Sequence, residues 1–183
     1  MPRRTVSVVT TSRADFGIYT PVLERLNGEE TIDLGLIVTG MHLSPEFGNT
    51  VTDIEKSDVP IRDQFSGLVS SDTEEGVAKS MGLTTLSAAQ SFASMQTDLL
   101  IVLGDRFEMH AVALAALPFR IPVAHIHGGE ETEGAIDNAL RHSLTKLSHL
   151  HFCSTQLAAK RVKAMGETDN RVIVSGAPAL DNL

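Results

Sequence analysis

The chain has 183 residues, of which 42% are hydrophobic, and this length and composition predict one globular domain with a substantial core. Its formal net charge of −8 argues against a surface for nucleic acid or for an anionic membrane. The short apolar run at 6–9 matches neither a signal segment nor a membrane span, and the single Cys153 excludes an internal disulfide, so we expect a cytoplasmic protein.

Strand and helix patterns alternate along the chain. Strands are predicted at 5–11, 31–39, 59–65, 97–104, 121–128, 149–154 and 171–176, and helices at 14–27, 71–95, 107–118, 134–148 and 155–165. The segment 40–57 is predicted as a loop that leads into a short helix. Apolar strands separated by amphipathic helices indicate an α/β fold with a doubly wound, mostly parallel, Rossmann-like sheet covered on both faces.

The chain ends directly after its last predicted strand, where a finished doubly wound domain would normally close with a helix. We therefore expect residues 1–176 to form one Rossmann-like domain. Residues 177–183 are expected to begin a junction to a second domain that this chain lacks. No internal repeat or low-complexity linker divides the sequence.

The first two predicted strands are followed by basic side chains. Arg13 stands at the start of a helix, where free backbone N–H groups and the helix dipole would help it to hold a phosphate. The alternative is an ordinary surface arginine. His42 follows the second strand, and it either reaches a ligand from that loop or is an exposed loop histidine.

Two later strand ends carry acids, a base and glycines. Asp105 follows an uninterrupted apolar run, so its carboxylate emerges at the mouth of the sheet with Arg106 beside it. It could act as a general base, accept a sugar hydroxyl or ligate a metal, or it could cap the next helix. The next strand is followed by His127, two glycines and Glu130. Because ligands are held at the carboxyl ends of parallel strands, these two ends predict one site.

Two histidines of this region lie two positions apart. His125 and His127 would share one face of a strand, and with Asp105 and Glu130 nearby they could hold a metal. The alternative for His125, deeper in the strand, is a hydrogen-bonded core histidine. Cys153 lies in a later predicted strand and is interpreted as a buried structural thiol.

Asp137 and Arg141 are four residues apart on a predicted helix, and they therefore lie on one face. If that face is exposed, they form an ordinary surface pair. If it faces the mouth of the sheet beside Asp105 and Glu130, Asp137 becomes a carboxylate tuned by a neighbouring charge. The spacing alone does not decide between the two arrangements.

Five segments stand out in order along the chain: TSRAD at 11–15, TGMHLSPEFG at 39–48, GDRFE at 104–108, HIHGGE at 125–130 and the segment 137–152. Together with SGAP at 175–178, they resemble the hydrolysing UDP-N-acetylglucosamine 2-epimerases of sialic-acid and legionaminic-acid pathways. The resemblance covers essentially the whole chain. It implies the amino-terminal half of a GT-B-like two-domain enzyme, with the active site in the cleft between the domains.

The resemblance also implies a reaction. A base removes the proton at sugar C2 while UDP leaves from C1, and water then adds to the 2-acetamidoglucal from the opposite face to give the free manno sugar. The implied partner is a UDP-sugar, and neither a cofactor nor a metal is implied. A homo-oligomer is expected as well.

Residue by residue, the resemblance implies that Arg13 contacts the diphosphate and that Asp105, Asp137 and Arg141 lie in the active-site cleft. The candidate catalytic residues are thus Asp105, His127, Glu130, Asp137 and Arg141, and the candidate substrate-binding residues are Arg13, His42 and Arg106. Further catalytic and nucleotide contacts are expected from the second domain.

Two positions depart from the broader family. His127 stands where wider relatives carry Glu, so Glu130 could take part of the role of that residue, provided that burial raises its pKa. We predict that His127 acts as an acid or electrostatic partner and that a carboxylate removes the C2 proton. Ile18 replaces a Lys of the non-hydrolysing relatives, whose proton transfer is therefore not expected.

Two alternative functions stay open at this point. The first is a metal-dependent hydrolase built on His125, His127, Asp105 and Glu130. The second is a non-catalytic domain that binds a nucleotide sugar. The sequence also leaves open whether the sugar is UDP-N-acetylglucosamine or its diacetamido-trideoxy analogue.

Overall fold

The computed structural model describes residues 3–134 and 136–182, and within them the predicted alternation of strands and helices is confirmed. The strands are β1 (Arg4–Thr10), β2 (Ile32–Val38), β3 (Ile61–Gln64), β4 (Leu99–Leu103), β5 (Val123–Ile126), β6 (Leu150–Cys153) and β7 (Val172–Val174). The helices are α1 (Arg13–Asn27), α2 (Val51–Ile54), α3 (Glu74–Ser94), α4 (Phe107–Ala116), α5 (Asp137–Leu147) and α6 (Gln156–Ala164). Predicted and observed bounds differ by a few residues.

The strands of the described residues form one sheet in the order β3-β2-β1-β4-β5-β6-β7, with every neighbouring pair parallel. This confirms the predicted doubly wound α/β fold. The sheet grows in one direction from β1 to β3 and in the other from β4 to β7. The switch between β1 and β4 opens a crevice at the carboxyl ends of these strands, which is where such folds hold ligands.

Buried aliphatic side chains hold the central strands inside the sheet, and a side-chain cap marks the start of the first helix. The central strands are fully covered, as the absence of exposure at Val8, Leu36 and Val102 shows. Ser12 caps α1 by accepting the backbone N–H of Asp15 at 3.4 Å. Cys153 is fully buried, as predicted, and burial raises its pKa to about 11.

The segment after β2 crosses the carboxyl edge of the sheet as predicted, as a loop that leads to a short helix. It contains two 3-10 turns, Gly40–Leu43 and Pro45–Phe47, before α2 begins. Gly40 has a φ of 62°, and a Cβ there would approach the Glu108 carboxylate and the Thr11 carbonyl at 3.0 Å. Only glycine fits this close approach of backbone to the sheet edge.

The last described residues return towards the first helix. Pro178–Asn182 forms a 3-10 helix, and the Asn182 amide donates to the Gly17 carbonyl at 3.0 Å. The domain boundary at residue 176 stays a prediction. No helix in residues 3–134 and 136–182 has the length and apolar character needed to cross a membrane.

Candidate active site

A buried arginine connects the ends of β4 and β5. Arg141 lies on α5 with 6% of its side chain exposed, and it donates to the His127 carbonyl at 2.9 Å. Its other terminal nitrogen pairs with the Asp105 carboxylate and donates to the Thr132 hydroxyl at 2.7 Å. A Glu130 carboxylate oxygen lies 3.6 Å from the Arg141 nitrogen that donates to the His127 carbonyl. The two strand ends that predicted one site are therefore joined by a single guanidinium group.

The predicted side-chain pair of Asp137 with Arg141 is wrong. Among the described residues, the ion pairs of Arg141 go to Asp105 and Glu130, because its long side chain turns towards the sheet. Asp105 does not cap α4 either, since the residue at that cap is Arg106, whose side chain makes no capping hydrogen bond within the described part of the chain. Asp137 and Asp105 both line an open cavity of about 260 Å³, so the two carboxylates do share the crevice.

His127 leaves the strand and pairs with Glu130. β5 ends at Ile126, and His127 has a φ of 66°, so the prediction that it shares a strand face with His125 is wrong. This left-handed turn brings its Nδ1 to 3.0 Å from a Glu130 oxygen. The pair could not be predicted from alternation along a strand.

The environment of Glu130 makes it more acidic. The hydrogen bond from His127 lowers the pKa of Glu130 from 4.5 to about 2, and the Ser154 hydroxyl, which also donates to this carboxylate, acts in the same direction. Burial alone would raise this pKa, but the hydrogen bonds outweigh it, so the condition under which Glu130 could serve as the base is not met. Glu130 stays ionised at neutral pH and is a weak proton acceptor, so it is better placed to orient His127 than to act as a base.

The second nitrogen of His127 is left for a partner. Because Nδ1 carries the hydrogen that goes to Glu130, Nε2 is the imidazole nitrogen that is left to contact a ligand. This atom is buried and has no hydrogen-bond partner among the described residues. A buried polar atom without a partner costs free energy, which a bound ligand at this position would recover.

His125 is the core histidine of the strand, as one of the two alternatives predicted. It is fully buried, with Nε2 2.8 Å from the Gly104 carbonyl and Nδ1 3.3 Å from the Thr145 hydroxyl, and burial lowers its pKa to about 3. Both nitrogens are therefore occupied inside the protein. In the described part of the chain, no group of three or more His, Cys, Asp or Glu is placed to hold a metal.

Arg106 is fixed by an acid that the sequence did not single out. Glu108 is fully buried in the first turn of α4 and accepts from Arg106 at 2.9 Å. Arg106 lines both the cavity of the two carboxylates and a neighbouring cavity of about 290 Å³, which Arg13 also lines. Arg13 is exposed and pairs with Asp53 at 2.9 Å. Two guanidinium groups thus meet at the α1 end of the crevice.

His42 was predicted either to contact a ligand or to lie exposed in a loop, and the structure instead buries its side chain. It is 1% exposed, so the exposed-loop alternative is wrong. Its ring nitrogens lie 2.9 Å from the Thr10 hydroxyl and 2.6 Å from the Thr50 hydroxyl, and burial lowers its pKa. This packing ties the end of β1 to the loop before α2. A contact of His42 with a substrate stays a prediction, and both of its nitrogens are already engaged.

Solved structures with this fold include nucleotide-sugar epimerases. A crystal structure of UDP-N-acetylglucosamine 2-epimerase superposes with a TM-score of 0.87 at 20% identity, over 99% of this chain and 48% of that one. The enzyme from Neisseria meningitidis bound to UDP-GlcNAc gives a TM-score of 0.81 at 23% identity, over 97% and 47%. These likenesses confirm the GT-B-like fold that was expected.

Sequence comparison then shows the family. The family model described as UDP-N-acetylglucosamine 2-epimerase matches residues 24–183. The chain is 41% identical to a UDP-N,N'-diacetylbacillosamine 2-epimerase (hydrolyzing) from Legionella pneumophila, over 98% of this chain and 48% of the relative. A GDP/UDP-N,N'-diacetylbacillosamine 2-epimerase (hydrolyzing) from Campylobacter jejuni is 37% identical, over 98% and 46%. The chain belongs to the UDP-N-acetylglucosamine 2-epimerase family, and it spans about half the length of these relatives.

Proposed function

We propose that this chain is the amino-terminal half of a hydrolysing nucleotide-sugar 2-epimerase whose substrate is a UDP-linked 2-acetamido sugar. The observation that carries the proposal is the buried Arg141, which gathers Asp105, Glu130 and the His127 backbone at the carboxyl ends of β4 and β5. The two curated relatives named for diacetylbacillosamine favour the diacetamido-trideoxy sugar over UDP-N-acetylglucosamine. The two-domain protein that would carry this chain is called the full-length enzyme below.

The first step of the proposed reaction breaks two bonds. The C2–H bond gives its proton to a carboxylate, its electron pair forms the C1=C2 double bond, and the C1–O pair leaves with UDP. Asp137 is assigned as the acceptor, because Arg141 holds the neighbouring Asp105 while no salt bridge engages Asp137 in the described residues. Arg13 and Arg106 are assigned to the leaving diphosphate, whose negative charge two guanidinium groups would bind.

The second step adds water across the double bond from the opposite face, with the hydroxyl joining C1 and the proton joining C2. His127 is assigned to proton transfer in this reaction, since Glu130 fixes its Nδ1 and leaves Nε2 to exchange the proton. This assignment keeps His127 as the acid and a carboxylate as the C2 base. Glu130 orients the imidazole and does not take the C2 proton itself.

The test is release of UDP from each candidate sugar by the full-length enzyme in deuterated water. The expected result is steady UDP release with one deuterium at C2 of the free manno product. The 183-residue chain by itself, which offers one wall of the cleft, is expected to release no UDP. Absence of UDP release from both sugars by a well-folded full-length enzyme would overturn the proposal.

Two alternatives have distinct outcomes in the same assay. A non-catalytic domain would bind a nucleotide sugar without releasing UDP. A metal-dependent hydrolase would lose its activity in a chelator and regain it with added metal, whereas the proposed elimination is expected to continue. The predicted homo-oligomer and the cytoplasmic location are kept as proposals for the full-length enzyme.

A further inference from the structure

We infer that a third cavity at the sheet edge is the specificity pocket for the sugar, and that it takes the 4-acetamido and 6-deoxy end of a diacetamido-trideoxy substrate. The inference rests on the proposed function and deepens it. The pocket, here called the apolar cavity, has a volume of about 420 Å³ and lies between the 3-10 turns after β2, the segment before α3 and the start of α4. Its apolar lining includes Met41, Phe47, Leu68, Val69, Val77 and Phe107.

The apolar cavity shares lining residues with the crevice on two sides. Met41 and Phe47 also line the cavity that contains Arg13 and Arg106. Phe107 also lines the cavity that contains the two carboxylates of the site. A sugar whose C2 lies beside those carboxylates, with its diphosphate on the arginines, can therefore extend its remaining carbons into the apolar cavity.

The charged side chains that line the three cavities indicate which kind of group each cavity can hold. The arginine cavity suits a diphosphate, and the carboxylate cavity suits proton transfer. The apolar cavity has Glu46 and Asp72 at its lining and no cationic side chain among its described lining residues. These acids repel phosphate, so a neutral substituent is the group that fits there.

The apolar character of this cavity selects between the two candidate sugars. The trideoxy sugar carries a methyl group at C6 and a second acetamido group at C4, whereas N-acetylglucosamine carries hydroxyl groups at both places. Each buried methyl or methylene group favours binding. A hydroxyl that faces Val69 and Val77, and not the polar lining residues Ser70, Ser71, Glu46 and Asp72, would lose its hydration. Discrimination by one such group is typically about 10- to 200-fold.

The test measures kcat/KM of the full-length enzyme for both UDP-sugars in variants of residues that line the apolar cavity alone. Val69→Thr and Val77→Thr add a hydroxyl with little change of volume, and Val69→Phe fills the space that the 4-acetamido group needs. The matched control is Val174→Thr on β7, which is 40% exposed and far from the crevice in the sheet order. Circular dichroism confirms that each variant is folded.

The expected result is a change in selectivity. Wild-type enzyme should prefer the diacetamido-trideoxy sugar, and each Val→Thr variant should lower kcat/KM for that sugar about 10-fold with less than about a 3-fold change for UDP-N-acetylglucosamine. Val69→Phe should reverse the preference, and the control should leave it unchanged.

Two other outcomes are distinguishable. Equal losses for both sugars, or a wild-type preference for UDP-N-acetylglucosamine, would overturn the specificity pocket while leaving the proposed function in place. Release of UDP from neither sugar by wild-type enzyme would overturn the proposed function, and the specificity pocket with it.

Discussion

Replacing Arg141 with methionine is expected to destabilise the fold strongly. The substitution keeps most of the apolar stem but removes the guanidinium that bonds Asp105, the Thr132 hydroxyl and the His127 carbonyl. Breaking a fully buried ion pair costs about 3–5 kcal/mol. Because Asp105 and Glu130 keep 22% and 30% of their side chains exposed, water can partly replace the lost cation. We therefore expect a loss of about 2–4 kcal/mol in the free energy of unfolding.

The measurement is urea unfolding of the 183-residue chain at pH 7, followed by circular dichroism. With a slope of about 2 kcal/mol per M, the midpoint should fall by about 1–2 M without a change in slope. Arg161→Met is a matched control, because Arg161 also bonds a backbone carbonyl, that of Gly129, and one carboxylate, that of Glu131 at 2.5 Å. Its side chain is 31% exposed and that of Glu131 is 58% exposed, so the cost should stay near 1 kcal/mol or below.

The test is whether Arg141→Met lowers the free energy of unfolding more than Arg161→Met does. If Arg141→Met costs no more than Arg161→Met, then the buried cluster does not hold the strand ends together as the contacts indicate. A fall in the slope instead of the midpoint would also contradict the reasoning, since it would mean a change in the compactness of one state rather than a lost interaction.

Three further predictions concern the same region. The folded-state pKa of Glu130 lies below its ordinary value, so the stabilisation that Glu130 contributes is complete above about pH 4.5 and is lost towards pH 2. Glu130→Gln should therefore make the urea midpoint depend less on pH between these two values. Asp137→Asn in the full-length enzyme should lower kcat more than about 100-fold and leave the thermal unfolding temperature unchanged. Asp105→Asn should lower both kcat and the thermal unfolding temperature, because Asp105 pairs with the buried Arg141. Normal turnover in either folded variant would contradict the role assigned to that residue. Buried Cys153, whose pKa is raised to about 11, should not react with a thiol reagent at pH 8 until urea unfolds the chain, and rapid labelling of native protein would refute this.

The sheet could be predicted from the sequence because its signals are local. Largely apolar runs marked β1, β2, β4 and β5, whereas the signal for β3, with the sequence IRDQ, was weaker. Alternation of strands with helical patterns was enough to infer parallel pairing. The predicted position of the candidate site rests on the same logic, since polar residues at the strand ends of a parallel sheet share one edge. Asp105, Arg106 and Asp137 indeed line one cavity.

The contacts within the site depend on features that local patterns do not encode. Spacing places Asp137 and Arg141 on one face, but the packing of α5 against the sheet decides that Arg141 reaches Asp105. The left-handed φ of His127 ended the strand where alternation predicted that it would continue. Glu108 has the sequence pattern of an exposed first-turn acid, and only tertiary packing buries it against Arg106.

The strand order also sets a sequence of assembly during synthesis. The first of these strands in chain order, β1, lies in the middle of the sheet, where Val6 pairs with Leu34 on one side and with Leu99 on the other. The first side can close soon after β2 emerges from the ribosome, but the second must wait for β4. During that interval the central strand keeps one edge open, which exposes a nascent chain to pairing with the wrong neighbour. A ribosome paused before residue 99 would therefore hold a half-sheet without any of the crevice built by β4 and β5.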